Sequence, residues 1–173
     1  MIDFRTSIAE QLEAYAPYIR GNVLASLIAV KGIPGPAELA GNPPFSGADG
    51  LALDKAFGRL GWGFGSQGTR IWLGVMTCLP SGPELLSTDL RLICEIVDPL
   101  AIVTLDEPAR LAVIDAFRPV CKTLKTDLSP GSEGRILGRH VLSVSGFEQS
   151  LAHENSKQRA WAQLKRCLPP SVR

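Results

Sequence analysis

Four largely apolar runs set the strongest constraint on this chain. They are "NVLASLIAV" at 22–30, "TRIWLGVMT" at 69–77, "PLAIVTL" at 99–105 and "RHVLSVSG" at 139–146. A strand with one wet face alternates apolar and polar residues. A strand buried on both faces does not. Between these runs lie segments with helical spacing: 50–61, 81–97 and 107–117, with 5–16 before the first run and 154–168 after the last. Pro83 and Pro108 suit first helical turns, and Gly61 suits a helix end. Strand and helix therefore alternate. The expected fold class is α/β, a three-layer αβα sandwich around a central, mostly parallel four-stranded sheet. Residues 1–173 read as one domain, and "SPGSEGRILG" at 129–138 reads as a surface loop.

Composition bounds the function classes. The chain is 45% hydrophobic with a formal net charge of +1. That predicts a packed core and gives no bulk basic signal for nucleic acid. No apolar run reaches the length of a membrane span, and "MIDFRTSIAEQLEAY" has no signal-peptide core, so a cytoplasmic protein with no membrane partner is expected. The cysteines Cys78, Cys94, Cys121 and Cys167 show no C-x-x-C spacing. No metal and no cofactor are expected.

Two motifs have bland explanations. "GFGSQG" at 63–68 matches G-x-G-x-x-G, but a helix precedes it and a strand follows, the reverse of the dinucleotide-binding order. His140 opens a strand and His153 precedes a helix. Neither has a partner at metal spacing, and both read as structural or exposed.

In such sheets ligands bind beyond the carboxyl ends of the strands. The loop after the first run, "GIPGPAELAGNPPFSGADG" at 32–50, is stiffened by Pro34, Pro36, Pro43 and Pro44 and carries one aromatic, Phe45. Phe45 is either one wall of a slot for a flat ring or a plug against the sheet. Residue type alone leaves both open.

This region resembles the uracil-DNA glycosylase superfamily, its families 4 and 5 above all. Those proteins carry a motif like "GEAPG" followed by "GRPFVG-AG-LLD". This chain has "KGIPG" and then "NPPFSGADGLALD". Pro34, Gly35, Glu38, Pro44, Phe45, Gly47, Gly50, Leu53 and Asp54 are in register. Weaker matches follow in order at Cys78 and Pro80, at 99–109, and at Lys157, Trp161 and Leu164. The resemblance spans roughly 22–168 and implies DNA repair ancestry, DNA or a nucleobase-containing ligand as partner, and a substrate site at Gly32, Pro34, Gly35, Phe45, Gly74, Ser145 and Gly146.

The departures bear on chemistry. The family's water-activating acid falls at Gly32, its base-reading Asn at Gly74, and its leaving-group His at Gly146, or at Ser145 with a one-residue slip. The cluster ligands of family 4 are not matched. Losing one donor to a developing anion commonly slows a reaction by about 100- to 1000-fold, so classical uracil excision is expected to be lost or altered. Three further expectations follow. The three glycines enlarge a slot under Phe45 for a bulkier or modified base, with Glu38 or Asp49 as the surviving acid. Alternatively, the fold is a non-catalytic protein-interaction module. A third possibility is that Lys157, Arg159, Lys165 and Arg166 touch phosphates, though they also suit an ordinary solvated helix face.

Overall fold

The computed structural model describes residues 4–63, 70–120 and 128–170. Its class is α/β, but the sheet has six strands and is mixed. The four expected strands are present: β2 (Leu27–Lys31), β3 (Leu73–Met76), β4 (Ala101–Thr104) and β6 (Arg139–Ser143). They pair in parallel in the order β3-β2-β4-β6. Two short strands, β1 (Ile19–Gly21) and β5 (Glu133–Ile136), close the edges antiparallel. The expectation of four strands is corrected by these two. β5 lies inside the segment read as a loop. Both edge strands are mostly exposed, so neither carries an apolar signal.

The parallel strands are buried along nearly their whole length, as their composition requires. Alternate residues serve two cores. Ile28, Val30, Leu73, Val75, Ile102 and Val141 join one core with α4 (Ser87–Val97) and α5 (Glu107–Phe117). Leu27, Ala29, Ala101, Val103 and Leu142 join the other with α3 (Ala48–Arg59) and α7 (Glu154–Leu164).

Four smaller elements remain among the described residues. α1 (Phe4–Gln11) is followed by a 3-10 turn at Glu13–Tyr15. α2 (Pro36–Leu39) lies within the first loop, and α6 (Phe147–Ser150) follows β6.

Some boundaries move for local reasons. α4 begins at Ser87, not near Pro83, whose carbonyl instead accepts from the Tyr18 hydroxyl at 3.0 Å. Gly61, at φ +84°, ends α3 as expected of a left-handed glycine. Most of the G-x-G-x-x-G stretch, and Cys121, lie outside the described residues. Among the described residues no helix is long and apolar enough to cross a membrane.

Candidate functional site

Chain order sets the place to look. From β2 the chain passes to β3 on one side, then returns to β4 on the other. The carboxyl ends of β2 and β4 thus flank the switch point, where open α/β sheets bind ligands. Lys31 ends β2 on the face that carries Leu27 and Ala29, and it is buried.

The Lys31 ammonium is enclosed by three carboxylates. Its Nζ lies 2.7 Å from Asp49 Oδ2, 2.7 Å from Glu148 Oε2 and 3.2 Å from Glu38 Oε2. Asp49 enters from α3, Glu148 from α6 and Glu38 from α2. Burial pulls the Lys31 pKa down, but the Asp49 and Glu148 contacts outweigh it and leave it raised. Burial pushes Glu38 up, yet the Phe45 amide and the Lys31 charge leave it lowered. Glu148 stays raised, because burial and the charges of Asp49 and Glu38 exceed the pull of Lys31. Among the described residues, Asp49 Oδ1 has no hydrogen-bond partner.

Glu38 also shapes the loop. Its Oε1 accepts from the Phe45 amide at 2.8 Å, and its Oε2 accepts from the Gly35 amide at 2.9 Å. Each of its oxygens is therefore engaged, and its role here is to clamp the loop. Gly35 lets the Glu148 carboxylate lie on the backbone, since a Cβ there would stand 2.0 Å from Glu148 Oε1.

Phe45 is fully enclosed, and its φ is +57°. A bulky side chain in the left-handed region costs about 1–2 kcal/mol, so the surroundings must hold it. Glu38 holds its N–H, and Arg70 donates to its carbonyl at 3.1 Å. Arg70 in turn pairs with Asp54 at 3.0 Å, and Asp54 accepts from the Trp72 indole at 2.7 Å. The Phe45 ring meets the Trp72 ring edge-on, with centroids 5.2 Å apart.

The slot expected beneath Phe45 is filled. A Cβ on Gly74 would lie 2.4 Å from Phe45 Cδ2. A Cβ on Gly32 would lie 2.6 Å from Pro108 Cβ and 2.9 Å from the Ala109 amide nitrogen. These glycines are close approaches, not enlargements. Among the described residues, a cavity of about 10 Å³ lies at the switch point beside Lys31, Asp49, Asp106 and Glu148. One water fits such a space. Ligand pockets begin at roughly 300 Å³.

Asp106 locks the other wall. It caps α5 by accepting from the Ala109 amide at 2.9 Å. The same carboxylate accepts from the Gly32 amide at 2.9 Å and the Ile33 amide at 3.0 Å. Amides that elsewhere could hold a ligand's anion here hold the chain's own.

The expected site residues therefore divide. Gly32, Gly35, Glu38, Phe45 and Asp49 converge at the switch point, with Pro34 half-buried beside them and Gly74 under the Phe45 ring. Ser145 and Gly146 lie elsewhere, at the carboxyl end of β6. They line an open groove of about 430 Å³ with Gln149, His153, Arg159 and Gln163.

The four basic residues near the C-terminus do not form one patch. Arg159 faces that groove, Lys157 a different one, and Lys165 sits over the Trp161 ring. Arg166 donates to the Gly131 carbonyl. His140 lies 3.0 Å from Glu133 across the β5–β6 pair.

Sequence reasoning missed Lys31, Asp106 and Glu148. Lys31 had a signal, as a charge directly after an apolar run. So did Asp106, in the helix-start pattern "DEPA". Glu148 had none. Among the described residues no group of three or more His, Cys, Asp or Glu could hold a metal ion. No family model matches the chain, and no curated protein matches it.

Proposed function

We propose that the chain is a divergent member of the uracil-DNA glycosylase superfamily, a three-layer αβα sandwich about its four parallel strands, that binds DNA and no longer excises uracil. The observation that carries this reading is the crowding at Gly32 and Gly74. Two of the three positions where the resemblance expects polar catalytic groups are pressed against neighbouring atoms, while a Cβ on Gly146 would meet only Gln149 Oε1, at 3.4 Å. The retained loop residues support the ancestry in a different way. Glu38, Phe45, Gly50 and Asp54 all serve the clamp that keeps the loop closed. A base cannot stack on Phe45 without moving that loop. An active enzyme on a bulkier base finds no room there either.

DNA contact needs no such movement. The groove at the end of β6 offers Arg159, His153, Gln149 and Ser145 on an open polar surface. Such groups contact phosphates and position a protein without reading sequence.

Labelled single- and double-stranded oligonucleotides containing uracil test both halves. Alkali should reveal no abasic sites. Binding should weaken with salt, by a log–log slope of roughly 0.9 per phosphate contact on duplex, and Arg159→Ala should weaken it further. Uracil excision would overturn the loss of activity. Absent or salt-independent binding would overturn the DNA role.

A further inference from the structure

A second groove, of about 620 Å³, lies between α3 and α7, away from the switch point. Both helices pack into the same core, yet a channel remains between them, floored by Ala56, Phe147, Leu151 and Leu164. Leu51, on its α3 wall, is 62% exposed. Leu51, Lys55 and Arg59 follow at four-residue spacing and so form one stripe along α3. Lys157 lines the opposite wall, on α7.

Charge is one-sided here. Lys55, Arg59 and Lys157 against Glu154 give +3 − 1 = +2 among the described lining residues, while the whole chain carries only +1. Glu154 itself faces Lys157 at 4.0 Å. The floor is apolar, which suits side chains and not phosphates. The Lys165 ammonium lies over the Trp161 ring, 5.5 Å from its centroid.

An elongated apolar channel with a cationic rim matches one occupant. An amphipathic helix presents anchors at i, i+3 or i+4, and i+7 to such a groove, and flanking carboxylates would meet the three cations. We propose that the α3–α7 groove docks an amphipathic helix of a partner protein, with acidic residues flanking its apolar stripe. This surface is separate from the β6 groove, so the failure of either proposal leaves the other standing.

The test uses a displayed library of random 16-residue peptides, selected on the full chain. Counter-selection uses the variant Leu51→Asp/Lys55→Glu/Lys157→Glu, whose three positions are exposed, so its melting temperature should match the wild type. Enriched peptides should carry helical apolar spacing and net negative charge. Synthetic copies should bind the wild type at least about tenfold more tightly than the variant, a difference of about 1.4 kcal/mol. No enrichment, enrichment of neutral or basic peptides, or equal binding to the variant overturns the proposal. So does binding of oleate or of an oligonucleotide in this groove with no peptide selected.

Discussion

The ring of Phe45 occupies the volume that a side chain on Gly74 would need. The hypothetical Cβ stands 2.4 Å from Cδ2 and 2.6 Å from Cε2 of that ring. Gly74 lies in a strand paired on both sides, registered with Arg20 on one side and Ala29 on the other. Its backbone has no freedom to retreat. Gly74→Ala should therefore destabilise the fold by about 1–3 kcal/mol, the range for overpacking a core. Phe45→Leu removes the obstructing edge, so Gly74→Ala should cost less in that background. A urea-denaturation double-mutant cycle should give a coupling of at least about 0.5 kcal/mol. Additive effects would mean that the two residues do not compete for this space. Gly74→Asn, which restores the amide expected from the resemblance, should destabilise without conferring uracil excision.

Lys31 carries the counter-charge for its cluster. Removing it would leave Glu38, Asp49 and Glu148 facing one another with little solvent. Breaking a buried pair by deleting one partner costs about 3–5 kcal/mol, so Lys31→Met should lose about that much. Adding Asp49→Asn and Glu148→Gln removes two of the stranded charges and should recover part of the loss. Chemical denaturation of the three proteins tests this. A single variant as stable as the wild type would show that the cluster does not depend on its cation.

Asp106 joins two elements through one carboxylate. Asp106→Ala leaves the amides of Gly32, Ile33 and Ala109 without the partner they have now. Loss of a helix cap alone costs about 0.5–2 kcal/mol, and two further amides raise the expected loss above that range. Asp106→Asn keeps one carbonyl acceptor and should fall between. Hydrogen exchange separates the contributions. The Gly32 and Ile33 amides should lose protection in Asp106→Ala, while β3, on the far side of β2, should keep it.

The parallel sheet was legible because burial on both faces leaves a largely apolar run, clear in β2, β3 and β4 and present in β6 only after Arg139 and His140. The edge strands were not. Arg20 in β1 and Glu133 and Arg135 in β5 are exposed and sit in three- and four-residue strands, so neither composition nor alternation marks them. The loop's prolines and its single aromatic, Phe45, stood out in the sequence. The choice between a slot wall and a plug depended on Trp72, Arg70 and Gly74, which meet Phe45 only through the fold. Glu148 was the least visible. Its meeting with Lys31 spans most of the chain, and nothing in "SGFEQSL" marks that glutamate as buried against an ammonium.

The opposed shifts of Glu38 and Glu148 give the cluster a distinctive pH response. Glu38 has a folded pKa below its ordinary 4.5. Its contribution is present above 4.5 and is lost as pH falls through the folded value. Glu148 has a folded pKa above 4.5. Its contribution is fully present below 4.5 and is lost as pH rises through the folded value. The two together should place the cluster's greatest stabilisation near 4.5. Lys31, raised above 10.5, adds a term that holds below 10.5 and disappears only at higher pH. Urea midpoints measured from about pH 3 to pH 8 should therefore respond differently to the two variants. Glu148→Gln should flatten the decline above 4.5 and leave the acid limb intact. Glu38→Gln should shrink the acid limb and, because the Glu38 charge helps hold Glu148 raised, also soften the decline. If Glu148→Gln instead removed stability uniformly across the range, the Lys31 contact would be an ordinary ion pair with no protonation linked to folding.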